Sequence, residues 1–514
     1  MPSQSHDDPI VSPPGADHGA SAHDRRALDR SLFAGIAWTA LFRWAAQFVS
    51  WGVMLYVARV LTPDDFGLAA MAAVPIGFAR LVEDLGIDSI VVQDRTLSHE
   101  HIAELGGLAI AVGALLCSGF LALALPIASF FREPAVAGLI AILSLTFVAD
   151  ALQVLPRAML QRDLAFRRLA GINALQLTVG AVALGAYASM GLRFWSLALN
   201  LLTGSVAATV VLNLVRPHRI ARPRAIRHLI RPLTSAGQLL LSRIAWYAYS
   251  NLDQTFVGRM LGKADLGAYS FAMTFAAMPV QEVTSLVGKV VPGVFTTVQR
   301  DLGSLRRYFL LLTEAITYLT MPMAVGLALV ADDFVRLAIG PQWEAVITPL
   351  RLLAAYMAIN AAQVLFGHVV VWTGHFRLNL YLNLFALAVM LPAFYIGAHF
   401  GLVGIGWAWV IAYPITVAPV FYISHRVLAL PAAKWLQALV PALVGCAAMV
   451  LVVLACRTQL PASLPPAVRL AVQAATGALV YAAILLGVFR RRVTGILAAI
   501  SGRDSAAPGT AATS

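Results

Sequence analysis

The sequence predicts an all-α polytopic membrane protein with about 14 transmembrane helices. Of its 514 residues, 60% are hydrophobic and 12% are charged, whereas soluble domains average about 25% charged residues. Apolar runs of about 20 residues, the length that crosses roughly 30 Å of hydrocarbon as a helix, recur along nearly the whole chain. The in/out alternation that is typical of outer-membrane barrel strands does not occur in these runs.

The first six spans follow a polar start. Residues 1–30 are polar and predict a disordered cytoplasmic tail. Polar breaks then divide residues 31–215 into six apolar runs, which predict an N-terminal six-helix bundle with spans at 33–60, 67–91, 103–126, 137–157, 169–189 and 194–215. Residues 216–232 contain six arginines and predict a basic cytoplasmic linker that binds anionic lipid.

The second half of the chain repeats this organisation. Residues 233–425 predict a C-terminal six-helix bundle, with spans at 233–260, 267–288, 307–330, 346–373, 378–398 and 402–424. Residues 426–490 add two further spans, and residues 491–514 predict a cytoplasmic tail. The longest predicted outer loop surrounds Ala331–Ala345, so no extracytoplasmic domain is expected.

The distribution of basic residues predicts the orientation. With the N-terminal tail in the cytoplasm, Lys and Arg are about three times as frequent on the cytoplasmic side as outside, the bias seen in inner-membrane proteins. An even number of spans then places both termini in the cytoplasm. This bias also accounts for most of the net charge of +12, so no nucleic-acid partner is expected. The sequence has no G-x-x-x-x-G-K-[ST] motif, which argues against an ATP-driven motor within the chain.

An internal repeat relates the two bundles. Residues 42–75 align without a gap to residues 242–275, with nine identities in 34 positions. Three identities are charged, a coincidence that apolar composition does not explain: Arg43 with Arg243, Arg59 with Arg259, and Asp65 with Asp265. We therefore expect two pseudo-symmetric six-helix bundles around a central cavity, related by an axis along the membrane normal, with substrate near mid-membrane between them.

Three strings carry a resemblance to a known family: VARVLTPDDFGLAAMA, DLGIDSIVVQ and NLDQTFVGRMLGKADLGAYSFA. They resemble the polysaccharide-transporter family, the Wzx-type flippases of the multidrug/oligosaccharidyl-lipid/polysaccharide superfamily. The resemblance covers residues 32–425, and the last two spans fit its fourteen-helix members. It implies a V-shaped pair of helix bundles in the inner membrane. It also implies export of polyprenyl-pyrophosphate-linked oligosaccharides for O-antigen, capsule or exopolysaccharide, with membrane lipids and other polysaccharide-assembly proteins as partners.

Two other classes of function stay open. A cation-coupled antiporter of small drugs shares the superfamily's fold, but acids rather than paired arginines are expected in its cavity. A membrane polysaccharide polymerase, ligase or glycosyltransferase needs a sizeable outer loop with catalytic residues, which this sequence lacks. We therefore expect a transporter rather than an enzyme, with no catalytic residue, metal or cofactor.

Paired intramembrane arginines are the main candidates for substrate binding. A charge at the centre of a span costs about 2.5–3.5 kcal/mol on insertion scales. The positions of Arg43 and Arg243 within predicted spans therefore indicate a functional or structural role for each. Guanidinium groups bind phosphate oxygens bidentately, and the repeat predicts that both arginines line one cavity within about 15 Å of each other. The alternative is that each arginine has only a structural partner. Helical spacing adds further candidates to the two arginine faces, namely Gln47, Tyr247 and Gln254.

A second set of charged residues predicts coupling or gating. Asp253 either carries a coupling proton or cation, or neutralises an arginine. In the second span, Arg80, Glu83 and Asp84 form either a solvated rim or a cytoplasmic gate, and Arg80 is spaced to pair with Asp84 on the same helix. Lone acids in other spans are weaker candidates for the cavity lining: Asp150, Glu282 and Glu314.

Overall fold

The computed structural model describes residues 46–83, 86–94, 96–222, 233–298, 302–372, 376–461 and 464–500. Over these ranges the chain consists of helices and short connections, without a strand, which confirms the predicted fold class. In the first half the helices are α1 (46–60 in its described part), α2 (Pro63–Glu83), α3 (Ile87–Gln93), α4 (His99–Phe131), α5 (Ala135–Arg162), α6 (Phe166–Ser189) and α7 (Trp195–Val215).

The second half contains six described α-helices before the C-terminal ones. They are α8 (Leu233–Phe256), α9 (Lys263–Val298), α10 (Leu302–Phe334), α11 (Ile347–Trp372), α12 (Phe376–Ala398) and α13 (Gly401–Leu428). The C-terminal helices are α14 (Ala432–Gln459), α15 (Pro466–Gly487) and α16 (Arg490–Ile500). Helices α8 and α10 each continue into a π-helical turn, Val257–Leu261 and Val335–Ile339.

Within the described chain, eleven helices are long and apolar enough to cross a membrane: α2, α4 to α7 and α10 to α15. Helices α1, α8 and α9 coincide with the other three predicted spans but are not among the eleven. Helix α8 carries Arg243 and Asp253, and α9 carries Lys263, Asp265 and Glu282, which lower their apolar character. The number fourteen therefore stays a prediction.

Two predicted boundaries are wrong. The second span was expected to reach residue 91, but α2 ends at Glu83 and a separate short helix begins at Ile87. Gly86 between them has φ 70°, a left-handed conformation that glycine adopts without steric cost and that ends a helix. Pro63–Glu83 and Ile87–Gln93 are thus two helices rather than one continuous span.

The predicted outer loop around Ala331–Ala345 is helical instead. Helix α10 runs to Phe334, its π turn ends at Gly340, and a 3-10 segment, Pro341–Val346, leads into α11. Asp332, predicted to lie in the loop, accepts hydrogen bonds from Arg351 and, at 2.7 Å, from Arg457. These charge-assisted bonds compensate the acid at this helix end, a compensation that only the folded chain provides.

Packing follows the same pattern in both halves. In the first half α4 packs on α5, α6 on α7, α5 on α7 and α2 on α5. In the second half α10 packs on α11, α12 on α13, α11 on α13 and α9 on α11. Since α3 is only a short break after α2, each of these pairings recurs six spans later, as a duplicated bundle requires.

The two halves meet where α2 crosses α9. A Cβ atom on Gly67 would lie 1.8 Å from the carbonyl oxygen of Lys263, and one on Gly267 would lie 1.8 Å from the carbonyl oxygen of Pro63. Both contacts join residues that are related by the repeat, so the pseudo-twofold axis passes between the two glycines. Only glycine permits backbones to approach this closely.

The C-terminal helices α14 and α15 pack on α10. At one end of α10, the buried Asp333 accepts hydrogen bonds from Arg469 and, at 3.0 Å, from Gln473, both on α15. Further along, the Tyr481 hydroxyl of α15 donates to the Tyr318 carbonyl of α10 at 2.9 Å. The two added helices are therefore attached to the second bundle by buried polar contacts as well as apolar ones.

Candidate functional site

Only one of the two paired arginines, Arg243, lies within the described residues. Arg43 lies outside the described residues, so its predicted distance to Arg243 stays a prediction. Arg243 is exposed on α8, and Gln47 is half-buried near the start of the described part of α1. An exposed guanidinium on a helix between the two halves is suited to an anionic ligand.

Tyr247, one turn beyond Arg243, joins α8 to α2. Its hydroxyl donates to the Val74 carbonyl at 3.0 Å, and a Cβ on Gly77 would lie 2.0 Å from that hydroxyl. Tyr247 also packs edge-on against Phe78, with ring centroids 6.2 Å apart. Tyr247 thus holds the two halves together, a contact role that its helical spacing from Arg243 did not reveal.

Arg80 and Arg243 lie on the same side of this crossing. Helix α2 continues from Gly77 to Arg80 in one turn, and α8, which runs the opposite way, reaches Tyr247 from Arg243 in about one turn of 5.4 Å. Since Gly77 and Tyr247 are in contact, the two arginines stand at one level on facing helices. Arg80 keeps 47% of its side chain exposed. Its guanidinium faces Asp150 and Thr146 of α5 within the first bundle.

Asp253 is sealed inside the second bundle. It is fully buried, and its Oδ2 accepts hydrogen bonds from the Tyr269 hydroxyl at 2.5 Å and from Trp409 Nε1 at 3.0 Å. Its Oδ1 accepts from the backbone N–H of Gln254 at 2.8 Å, and the half-buried Gln254 side chain donates to Asn251 at 3.5 Å. These are neutral donors rather than the arginine that the sequence suggested as one alternative.

A polar pocket of about 350 Å³ lies within the first bundle, between α2, α3, α5, α6 and α7. The Asp150 carboxylate accepts hydrogen bonds from Ser205 at 2.5 Å and from Gln153 at 3.1 Å, and faces Arg80 at 3.7 Å. Arg157 Nη2 donates to Gln153 at 2.9 Å and to Gln176 at 3.2 Å. The pocket is thus a connected network of charged and amide groups inside a membrane-spanning bundle.

The sequence anticipated only part of this pocket. Arg80 and Glu83 line it as members of the predicted gating set, whereas Asp84 lies outside the described residues. The described partners of Arg80 are Asp150 and Thr146 on α5, and its expected pairing with Asp84 stays a prediction. Gln153 and Arg157 were missed, although they follow Asp150 at i+3 and i+7 on one helix face, a spacing that can reveal such a network.

A large apolar groove runs along the other side of the molecule. It has a volume of about 710 Å³ and is lined by α1, α9, α10, α14 and α15. Trp51 and Met54 of α1 face Met278 of α9 and Tyr481 of α15 across it. Met54 is on the α1 face on which the sequence predicts Arg43.

One end of the two bundles, where α2 and α9 begin, is closed; we call it the closed end. Arg59 Nη2 donates to the Leu337 carbonyl at 2.7 Å, and Trp343 Nε1 donates to the Ala58 carbonyl at 2.7 Å. Lys263 forms an ion pair with Glu133 at 3.0 Å. All three contacts cross between the halves, so a path between the bundles is blocked there.

Within the described residues, no group of three or more His, Cys, Asp and Glu side chains is arranged to bind a metal ion. The two bundles are in contact at the closed end and again where Tyr247 of α8 meets Gly77 of α2.

Comparison with known proteins identifies the chain's relatives. Residues 56–348 match a family described as polysaccharide biosynthesis protein. The chain is 25% identical to the lipopolysaccharide biosynthesis protein WzxC of Escherichia coli over 78% of its own length and 84% of that protein. It is 22% identical to the teichuronic acid biosynthesis protein TuaB of Bacillus subtilis, over 90% of this chain and 96% of that one. It is 26% identical to the succinoglycan biosynthesis transport protein ExoT of Rhizobium meliloti, over 63% and 66%.

Solved structures share the fold. The lipid II flippase MurJ in an inward closed conformation superposes with a TM-score of 0.71 at 14% identity, covering 88% of this chain and all of that one. An inward-facing multidrug transporter of the MATE family superposes with a TM-score of 0.58 at 13% identity, covering 74% of this chain and 94% of that one. At these identities the likeness concerns the fold alone.

Proposed function

This chain belongs to the polysaccharide biosynthesis protein family, and we propose that it is a flippase for polyprenyl-pyrophosphate-linked oligosaccharides in the bacterial inner membrane. The single observation that carries the proposal is the exposed Arg243 at the junction of two pseudo-symmetric halves that are closed at one end. Relatives named for lipopolysaccharide, succinoglycan and teichuronic acid biosynthesis support the same class of product. Export of O-antigen, capsule or exopolysaccharide units is the role that fits.

Alternating access is the mechanism that this arrangement supports. Under the predicted topology the closed end faces the periplasm, so Arg243 and Arg80 are reached from the cytoplasm, where the substrate is made. Opening the closed end requires the α2–α9 crossing to separate, and the halves then rock about the level of the arginines. The direction of transport follows from which end opens after the substrate binds.

The pyrophosphate is the part of the substrate that the arginines recognise. It carries at least two negative charges, and guanidinium forks bind phosphate oxygens in a fixed bidentate geometry. Arg43 is placed in this role by the repeat, as the counterpart of Arg243. Gln47 and Gln254, on the same helix faces, supply neutral groups for the sugar.

The prenyl tail needs an apolar path of its own. The groove between α1, α9, α10, α14 and α15 is almost wholly apolar and adjoins the α1 face that bears Met54. We expect the tail to lie along this groove or in the adjacent lipid, while the sugar occupies the wet space between the bundles.

A cation-coupled drug antiporter is the second candidate function. The observation that favours it is the polar pocket of the first bundle, which carries the acids Glu83, Asp88 and Asp150. A drug cation bound there would leave Arg243 without a role, so the two candidates differ in the sign of the charge that they bind.

Gene deletion tests the proposal directly. Loss of a flippase is expected to leave one lipid-linked oligosaccharide on the cytoplasmic face, identified by mass spectrometry of extracted lipids and by its resistance to enzymes added outside the membrane. Complementation with the intact gene is the control. Accumulation of a polymerised product outside the membrane would reject flipping, and altered drug sensitivity with normal lipids would favour the antiporter.

A further inference from the structure

A second apolar cleft, of about 450 Å³, lies between α2 and α4 of the first half and α8 of the second. Its third wall, α4, is the counterpart of α10, which lines the large apolar groove. Residues of its other two walls are repeat partners of groove residues. The pairs are Val74 with Thr274, Pro75 with Phe275, Phe78 with Met278, Asn251 with Trp51, and Thr255 with Leu55. The cleft and the groove are therefore related by the pseudo-twofold axis, one on each side of it.

The cleft and the groove differ in what covers them. The groove is covered by α14 and α15, which follow only the second half. Of the described helices, only α2, α4 and α8 line the cleft, so no such pair covers it. Phe78 and Phe130 accordingly leave 39% and 47% of their surface exposed. At the depth of a predicted span, such an apolar face contacts lipid chains rather than water.

Helix α8 carries an arginine beyond each end of the cleft. Tyr247, Asn251 and Thr255 line the cleft at i+4 intervals. The same spacing continues to Arg243 on one side and to Arg259 on the other. Since these arginines are 16 residues apart, they are separated by about 24 Å along the helix. One side of α8 therefore leads from the proposed pyrophosphate site past the cleft to the closed end.

Two arginines lie at the closed end of the cleft. Arg259 Cζ is 5.7 Å from the centroid of the lining Phe130 ring, and the exposed Arg132 directly follows the lining Phe131. Within the described residues neither arginine forms an ion pair, and the acid next to Arg132 pairs with Lys263 at 3.0 Å. Guanidinium groups without a carboxylate partner favour an anionic headgroup, and phosphate oxygens fit their fork geometry.

The corresponding end of the groove has no such arginines to offer. Arg59, the repeat partner of Arg259, donates to the Leu337 carbonyl at 2.7 Å. Asp332 and Asp333 at the same end pair with arginines of α11, α14 and α15. These arginines are bound to acceptors within the protein, whereas the two at the cleft are not in the described chain. The cleft is therefore the side of the closed end where a phosphate finds donors.

We propose that this cleft is the exit site of the flipped lipid, where the prenyl chain lies against Pro75, Ile127 and Leu252 and the pyrophosphate is bound by Arg259 and Arg132. The inference rests on the proposed function, because its ligand is a lipid-linked saccharide. Under the predicted topology the closed end faces the periplasm, so the cleft is at the depth of the outer leaflet. The large groove then holds the prenyl chain before transport, and the cleft holds it afterwards.

The cleft borders a contact between the halves that has to separate when the closed end opens. A Cβ on Gly258, in the π turn after α8, would lie 3.1 Å from Phe131 Cε1 of α4. Separation of this contact makes Arg259, the next residue in the turn, accessible from the space between the bundles. The pyrophosphate can then pass from Arg243 to Arg259 while the prenyl chain moves sideways into the outer leaflet.

Photolabelling locates the prenyl chain. The probe is a polyprenyl-pyrophosphate disaccharide with a photoreactive group in its prenyl chain, bound to the full-length protein in lipid nanodiscs. After irradiation, mass spectrometry should find labels in the groove and also at residues 126–131 and 247–255, which border the cleft. An excess of unlabelled probe lipid should remove the cleft labels, whereas the same excess of phosphatidylglycerol should not.

A variant that fills the cleft tests its part in transport. Ile127→Trp places a larger side chain in the cleft, so it should lower the flipping rate in reconstituted vesicles by about tenfold. It should also remove the cleft labels and keep those in the groove. Leu121→Trp is the matched control, because Leu121 is exposed on the same helix outside the cleft. It should flip the lipid at the wild-type rate.

A second variant tests the headgroup contacts and does not depend on packing. The double variant Arg132→Gln, Arg259→Gln has no ion pair to lose, so it should fold, and it should flip about tenfold more slowly. Arg336→Gln is its control. Arg336 is another exposed arginine near the closed end, but it pairs with Glu344 at 2.6 Å outside the cleft. Loss of this exposed pair should leave the flipping rate unchanged.

Wild-type flipping by the double arginine variant, or labels confined to the groove, would overturn the inference while leaving the flippase proposal intact. Loss of the cleft labels to phosphatidylglycerol would also overturn it, by assigning the cleft to an ordinary phospholipid. Absence of flipping by the wild-type protein would reject the proposed function and the exit site together.

Discussion

Asp150 and Asp253 are both acids within predicted spans, but their surroundings give them different chemistry. Asp150 lines a pocket and faces an exposed arginine, whereas Asp253 is fully buried and receives three hydrogen bonds from neutral donors. A sequence pattern does not distinguish the two, because the partners Ser205, Tyr269 and Trp409 come from distant helices. Arg243 and Tyr247 could be assigned to one helix face from spacing alone, because that depends only on helical geometry.

The burial of Asp253 predicts a structural role. Asp253→Ala leaves the buried Tyr269 hydroxyl without its acceptor, which should cost about 1–3 kcal/mol. The Trp409 indole N–H keeps an acceptor, because it also donates to the Tyr269 hydroxyl at 2.8 Å. Thermal unfolding of the purified protein should therefore show a clear loss of stability, and Tyr269→Phe a smaller one. Wild-type stability in Asp253→Ala combined with loss of transport would instead assign Asp253 to coupling.

At the scale of helices, the sequence located every described long helix but not every end. The break at Gly86 was missed although a glycine is a local signal for the end of a helix. The helical segment after Phe334 was missed because the arginines that compensate Asp332 come from other helices. The repeat indicated residues at the junction of the halves, which hydropathy did not. It aligns Gly67 with Gly267, and at the α2–α9 crossing each of these glycines lies against the backbone of the opposite half. The repeat alone does not predict that α2 and α9 cross at these glycines, because that contact depends on how the two halves pack against each other.

This crossing predicts that Gly67→Ala and Gly267→Ala have similar effects. In each variant a methyl group would lie 1.8 Å from a carbonyl oxygen, so the closed end cannot form as it stands. Both variants should lose most transport, and a thiol reagent added outside should label a cysteine placed at Phe66 faster than in the parent. The parent for labelling lacks the native cysteines Cys117, Cys446 and Cys456.

Gly119→Ala is the matched control, because nothing lies within 4 Å of the added methyl group and the residue is inside helix α4. It should transport normally, with stability unchanged or raised by up to about 1 kcal/mol. Normal transport by both Gly67→Ala and Gly267→Ala would remove the crossing from the transport cycle.

At the scale of the whole molecule, orientation in the membrane remains a prediction from the distribution of Lys and Arg. Reporter fusions at Arg227 and Arg492 should report the cytoplasm, and a fusion at Asp332 should report the periplasm. These results would place the closed end outside and the arginines on the cytoplasmic side of the α2–α8 crossing. A periplasmic signal at Arg227 would contradict the account, because the two halves would then run in opposite directions.

The central claim is that arginines between the halves hold the pyrophosphate of a lipid-linked saccharide while it crosses the membrane. Arg43→Lys keeps the charge but loses the bidentate fork, so it should impair transport, and Arg43→Ala and Arg243→Ala should impair it more. Arg168→Ala, an exposed arginine in the first turn of α6, should transport normally. Protein abundance and folding are followed in each variant, because an arginine that only pairs structurally would lose stability instead.

The most direct measurement is flipping of a fluorescent polyprenyl-pyrophosphate saccharide in vesicles reconstituted with purified protein. The probe in the outer leaflet is quenched by a membrane-impermeant reductant, so flipping appears as the fraction of fluorescence lost. Wild-type protein should expose nearly all of the probe, whereas a folded Arg43→Ala, Arg243→Ala double variant should expose only the fraction seen in protein-free vesicles. Wild-type flipping by the double variant would contradict the role of the arginines, and absence of flipping by the wild-type protein would contradict the proposed function itself.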